Sequence, residues 1–361
     1  MSAEFAAASE ILRRAIADGA FPGAAIEVGG LDGPRWSRGF GRLTYESDAP
    51  DVTPGTVFDL ASLTKVIATA ALAMRAVDDG RLTLDEAIAG RLESWRGSDR
   101  EQVTVRDLLS HTSGLTAYLP FFRDLSGRPE FEHAICTMAL EYEPRSQSVY
   151  SDLGFILLAF ILEDTRQAGS PLWDPARSFA SQFHRLAAFI TPDPLVFNPP
   201  RAWRPVTAPT EIDPWRGRLL TGEVHDENAW ALGGAAGHAG LFGTAPAVGA
   251  FARAMLHTIR GDRVVAKPET AREFIQRRGD VPGSSRALGW DTMRPTSSCG
   301  TLMSPTSIGH TGFTGTSLWI DWERNLYVIL LTNRVHPTRE NNAIQQIRPA
   351  VHDAVMREIT L

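Results

Sequence analysis

The sequence predicts an α+β protein. One antiparallel sheet, built from strands near both ends of the chain, is flanked by helices and joined to a mainly helical lobe. Three observations carry this. Strand-like runs gather before residue 60 and after residue 300, the stretch between reads as helix and loop, and an amphipathic helical pattern stands near each end. A sheet drawn from both ends needs helices to cover its apolar face. The division expected is 1–60 and 300–361 for the α/β lobe and 81–299 for the helical lobe, with 1–361 forming one unit. A functional site is expected in the cleft between the lobes.

Each element has its own signal. Over 4–18, Phe5, Ala8, Ile11, Leu12 and Ile16 fall at helical spacing, and Gly19 ends the run. FPGAAIEVGG and PRWSRGFGRL read as strands joined by an Asp-Gly turn. A helix over 62–79, SLTKVIATAALAMRAVDD, is closed by Gly80. It is apolar almost all round, which predicts burial at the centre of the molecule. Helices are expected over 104–110 and 153–166. Pro, Trp and Gly cluster in 190–245, the mark of long ordered loops. Strands follow at 316–322 and 326–333, with Glu-Arg-Asn at the turn between them, and an amphipathic helix covers 340–358.

Composition removes several function classes. With 361 residues, 43% hydrophobic and 22% charged, the chain is globular rather than disordered. No run of about 18 apolar residues is present, so no membrane-spanning helix is expected. The first residues carry no signal-peptide apolar core, and a cytoplasmic location is expected. The net charge is −6 and no basic block occurs, so neither nucleic acid nor membrane is expected as a partner. Cys136 and Cys299 are too few for a disulfide framework or a zinc ribbon and are expected as buried small hydrophobes.

Lysine usage is sharper. Lys65 and Lys267 are the only lysines, and arginine supplies the remaining positive charge. Arginine keeps its proton, whereas a desolvated lysine can lose it. Lys267 has a surface-like context. Lys65 lies in the apolar helix three residues after Ser62, so the two share a helix face. A serine hydroxyl needs a base to become a nucleophile, and a buried lysine of lowered pKa can be that base. A second motif, Tyr150-Ser151-Asp152, precedes the apolar run LGFILLAFIL. Ser151 or Asp152 fits an ordinary N-cap there, while Tyr150 is placed to project into a cleft. A third, His310-Thr311-Gly312, opens a strand in GHTGFTGTSLWID. A strand glycine permits close backbone approach, and strand N–H groups can bind an oxyanion.

Taken in order and spacing, these motifs resemble the penicillin-recognising serine hydrolases. That superfamily includes class C β-lactamases, DD-peptidases, D-amino-peptide hydrolases and family VIII carboxylesterases. TVFDLASLTK, DLLSHTSGL (107–115) and GHAGLFGTA (237–245) are similar to further segments of it, so the likeness runs from about Phe21 to Asn333. The resemblance implies a β-lactamase/transpeptidase-like fold. It implies catalytic roles for Ser62 (nucleophile), Lys65 (proton acceptor) and Tyr150 (proton relay). The oxyanion hole is implied to be the N–H groups of Ser62 and Phe313. Substrate-binding roles fall to Asp152, His310, Thr311 and Gly312. His310 stands where many β-lactamases carry lysine, and Asp152 stands where asparagine is commoner. An ionised Asp cannot donate to a substrate carbonyl, which weighs against β-lactamase activity.

No metal or organic cofactor is required. His225, Asp226, Glu227 and His238 lack a compact metal-ligand spacing, and loop hydrogen bonding is the plainer account of them. The segment 208–228 resembles one from a bacterial subgroup of the superfamily near cell-wall recycling. That likeness makes Glu223, His225, Asp226 and Asn228 candidate substrate contacts, against a purely structural loop. His111 is expected to order its loop rather than react. The substrate expected is a small carboxylic ester or a D-amino-acid-containing peptide. A β-lactam, or a sensor that acylates without turnover, is the alternative.

Overall fold

A computed structural model describes residues 5–165 and 178–360. Arg166, the last residue of the helix expected over 153–166, lies outside them, as does Glu4. Six antiparallel strands form the main sheet, in the order Gly33–Gly41, Gly23–Gly30, Leu326–Thr332, Ser317–Asp321, Ile308–Thr311, Asp291–Thr292. The two ends of the chain meet at its centre, where Ala24 pairs with Thr332 and Ile26 with Leu330.

Alternation along the strands sorts side chains between two cores. Ala24, Ile26, Val28, Trp319, Val328 and Leu330 join one core with Leu12 and Val355 of the helices Ala6–Ala17 and Ile344–Thr360. The free N–H groups of Ala6 and Ala7 are capped by the Glu358 carboxylate at 2.8 and 2.9 Å, which also favours that helix electrostatically. Ala25, Leu318, Ile329 and Leu331 face the larger core instead.

The helix Ala245–Arg260 covers this second face, with Gly249 fitting against the Glu27 carboxylate, where any β-carbon would collide. Glu27 is buried and bonded to Tyr327 (2.9 Å) and Arg253 (3.2 Å). This corrects the lobe boundary. The residues 245–260 and the edge strand Asp291–Thr292, expected in the helical lobe, belong to the sheet layer. Their signal was hidden because a helix on a sheet carries the same amphipathic stripe as a helix on a helix.

The helix after Ser62 is central and buried, as its apolar surface predicts. Its segment Lys65–Ala70 is wound as a π-helix before Ala71–Asp78 continues as α, a local unwinding common at functional sites. The helix Asp152–Asp164 packs beside it, with Ser151 as N-cap. Val105–Leu109 is set by a Thr104/Asp107 capping box. Cys136 and Cys299 are free and buried. No helix among the described residues is long and apolar enough to cross a membrane.

Candidate active site

Ser62 enters the cleft from a turn whose shape is set by its neighbours. Ala61 adopts φ +47°, a left-handed conformation that costs a non-glycine residue about 1 kcal/mol. The fully buried Asp59 holds it there. One Asp59 oxygen accepts the Ala61 N–H (2.9 Å) and the other accepts the His225 N–H (2.7 Å). From the opposite side comes the turn after Ile308–Thr311. Thr314 and Thr316 donate to the carbonyls of Asp59 and Leu60 at 2.7 and 2.9 Å. Gly312 allows that approach, since a β-carbon would stand 2.6 Å from the Leu60 oxygen. The N–H groups of Ser62 and Phe313 donate to no partner among the described residues.

Lys65 is fully buried one helical step from Ser62. Its Nζ donates to Ser62 Oγ at 2.9 Å and to the His238 carbonyl at 3.1 Å, and it pairs with Asp152 Oδ1 at 2.7 Å. The Tyr150 ring stands against this group, with Lys65 Nζ 4.8 Å from its centroid, and the phenol and the lysine bear on each other's pKa. Thus Ser62, Lys65, Tyr150 and Asp152, from two separate segments, form one cluster.

The electrostatics correct one expectation. Burial alone disfavours the Lys65 ammonium, but the facing Asp152 and Tyr150 outweigh it, and the lysine pKa is raised rather than lowered. Lys65 therefore rests as a cation at neutral pH. Burial also raises the Tyr150 phenol, against the pull of Lys65. Two imidazoles flank the tyrosine ring. His111, at φ +59°, lies 4.8 Å from it and His310 5.7 Å, centroid to centroid. His111 Nδ1 accepts the Ser151 N–H at 3.0 Å, so it orders the loop that presents Tyr150. His310 Nδ1–H donates to the Thr311 carbonyl at 2.8 Å. Burial, with Arg286 and Lys65 nearby, holds both imidazoles neutral, well below the usual range.

The cleft has a volume of about 690 Å³, and Ser62, Tyr150, Asp152, His310, Thr311 and Gly312 reach it. Of the four loop residues proposed as contacts, His225 and Asp226 line it and Glu223 and Asn228 do not. Glu223 is engaged by Arg218 at 2.6 Å. Asn228 is buried, accepting the Phe122 N–H (2.9 Å) and donating to the Leu119 carbonyl (2.8 Å). The acidic and imidazole groups of this loop are matched among themselves. His225 pairs with Glu211 at 3.0 Å, His238 with Asp226 at 2.8 Å, and Arg339 with Glu227 at 2.8 Å. Burial would raise Asp226, but the neighbouring His238 more than reverses this and holds it low.

Sequence reasoning missed four residues. Asp59 is one, although it stood in the TVFDLASLTK segment. The others are Arg286, Arg334 and Arg348, arginines outside every motif. Arg286 lies 5.0 Å from the Tyr150 ring centroid and has no carboxylate partner among the described residues. Arg334 and Arg348 donate to main-chain carbonyls instead of carboxylates. Arg339 is neutralised by Glu211 and Glu227. The cleft lining thus sets four arginines, Arg286, Arg334, Arg339 and Arg348, against the carboxylates of Asp152, Asp226, Glu227 and Asp291, and Asp291 is bonded to the Thr292 N–H at 3.0 Å.

A protein of Escherichia coli (strain K12), provisionally named D-alanyl-D-alanine carboxypeptidase, is 31% identical over 317 residues, covering 79% of this chain and 70% of its own. A penicillin-binding protein homologue from Caulobacter crescentus superposes with TM-score 0.75 at 20% identity, over 98% of this chain and 97% of that one. EstCE1, a hydrolase with promiscuous acyltransferase activity, gives TM-score 0.72 at 22% identity, over 96% and 97%. The Beta-lactamase family model matches residues 8–352, and with it the chain belongs to the beta-lactamase family of serine hydrolases.

Proposed function

We propose that the protein hydrolyses a D-amino-acid-containing peptide that ends in a free carboxylate, through an acyl-enzyme on Ser62. The observation that carries this is Arg286, a guanidinium in the cleft with no carboxylate to neutralise it among the described residues, against the ring of Tyr150, which lines the cleft with Ser62. A planar two-pronged donor suits a carboxylate. The name of the Escherichia coli relative supports the same class.

In this mechanism Ser62 Oγ attacks the peptide carbonyl. Its proton passes to Lys65 and Tyr150 once Lys65 has lost its own. The new oxyanion is held by the Ser62 and Phe313 N–H groups. Tyr150 returns the proton to the leaving amine, which departs with its carboxylate on Arg286. Water then attacks the acyl-enzyme and frees Ser62.

A carboxylic ester is the second reading. It is favoured by Phe313, whose ring is 50% exposed on the cleft wall and can pack against an apolar acyl group.

The test compares a peptide ending in D-Ala-D-Ala with its C-terminal amide. Arg286→Ala should raise KM for the free acid by about tenfold, the value of one charge-assisted contact, and leave the amide unaffected. Equal effects on both would refute the carboxylate assignment. Turnover that survives Ser62→Ala would refute the nucleophile.

A further inference from the structure

Gly312 and Phe313 line the cleft, and the N–H of the peptide that joins them has no partner among the described residues while its carbonyl is bonded. Behind that carbonyl stands Arg348 of the helix Ile344–Thr360. Arg348 Nη2 donates to the Gly312 oxygen at 2.7 Å and to the Thr316 oxygen at 3.0 Å. Thr316 O in turn accepts the Gly312 N–H at 2.7 Å. The arginine thus closes the turn that carries Phe313.

Its charge is unusual. Arg348 is 8% exposed and has no carboxylate partner among the described residues, and its Nε is buried without a hydrogen bond. Burial and the neighbouring Arg334 bring its pKa down to about 10. Arg334 donates to the Phe313 carbonyl at 2.8 Å, so a second cation backs the same turn. Tying two carbonyls together needs only neutral donors, and burying an uncompensated cation for that purpose is costly. A positive charge does something a neutral donor does not. Held on a peptide oxygen, it polarises the whole amide and makes the N–H at the other end a stronger donor.

We propose that Arg348 is a positioning residue of the oxyanion hole: it fixes the Gly312–Phe313 peptide and, by its charge, strengthens the Phe313 N–H toward the negative oxygen of the tetrahedral intermediate. This rests on Ser62 as nucleophile and Phe313 N–H as oxyanion donor. It does not depend on which acyl group is cleaved.

Two variants separate charge from structure. Arg348→Gln keeps a donor and removes the charge, while Arg348→Lys keeps the charge. Each is assayed with p-nitrophenyl acetate, using the burst of p-nitrophenolate to count active sites, and with phenylboronic acid, whose adduct on Ser62 is a tetrahedral anion. Loss of a whole oxyanion donor costs about 10²–10³ in kcat, so loss of its polarisation alone should cost about tenfold. In Arg348→Gln, kcat per titrated site and boronate affinity should both fall about tenfold with KM unchanged, while Arg348→Lys stays within about threefold of wild type. The acyl-enzyme carbonyl stretch should move to higher wavenumber in Arg348→Gln. If Gln and Lys behave alike, or if only thermal stability falls, Arg348 is a structural clamp and the inference is overturned. A wild-type burst that persists in Ser62→Ala would overturn the site assignment and this inference with it.

Discussion

Replacing Asp152 with asparagine should make the enzyme work at lower pH. In the proposed mechanism Lys65 must be neutral to accept the Ser62 proton, so kcat/KM should rise with pH through the lysine pKa. Asp152 raises that pKa through an ion pair of 2.7 Å. At this separation the attraction is about 1.5 kcal/mol with the dielectric of water and about 6 kcal/mol at an effective value near 20. Removing the charge removes this attraction and lowers the lysine pKa. The Asp152 side chain is 18% exposed, so solvent screens part of the attraction, and the limb should move to lower pH by less than the unscreened pair would give.

The sign is fixed by the proton count. A lower pKa means more neutral lysine at any pH below it, so Asp152→Asn should outpace the wild type on the acidic side. Part of that gain is lost because a weaker base accepts a proton less readily. The assay is the pH profile of kcat/KM for p-nitrophenyl butyrate, with folding checked by circular dichroism. An ascending limb that stays in place, or moves to higher pH, would refute the reasoning. A fall at every pH would also refute it, by putting Asp152 itself in the proton path.

Other outcomes follow from packing and burial. Gly312→Ala would push a β-carbon against the Leu60 carbonyl and the Thr316 hydroxyl. Shifting the Phe313 turn in this way should lower kcat about 10²-fold, and an unchanged kcat would show that the turn is not coupled to Ser62. His352 is fully buried with neither ring nitrogen hydrogen-bonded, and burial, with Arg348 alongside, pushes its pKa down to about 3. The unfolded chain binds this proton near pH 6.5, so between these values it holds more protons than the fold does, and stability drops as the pH falls. His352→Leu should therefore gain on the wild type by about 1.4 kcal/mol for each pH unit below about 6.5. Urea unfolding at neutral and mildly acidic pH measures this, and parallel pH dependences would count against it.

The meeting of the motif residues was partly legible because residue spacing dictates it. Ser62 and Lys65 meet since three residues make nearly one helical turn, and Gly312 marked a close backbone approach before any partner was known. Asp152 was recognised as a departure. The Lys65 pKa moves opposite to the direction expected from burial, because the direction depends on Asp152, brought in from a segment far along the chain. Arg286, Arg334 and Arg348 were invisible for a different reason. In a chain that uses arginine for almost all its positive charge, one more arginine is no signal. Only its surroundings distinguish it, here carbonyls and aromatic rings where a carboxylate would be ordinary. Glu223 and Asn228 failed as contacts because adjacent residues of an irregular loop point in different directions.

The pairing of Gly23–Gly30 with Leu326–Thr332 has a consequence for how the molecule is made. Tyr327 reaches Glu27 across 300 residues of chain. During synthesis the first hairpin emerges early, yet its inner edge has no neighbour until the last strands leave the ribosome. Until then the nascent chain carries an open, apolar strand edge, the kind of surface that invites pairing with another chain. Contacts so distant also close slowly. The arrangement that seats Gly312 beside Ser62 thus makes the nascent protein dependent on Leu326–Thr332, and on whatever shields the unpaired strand until then.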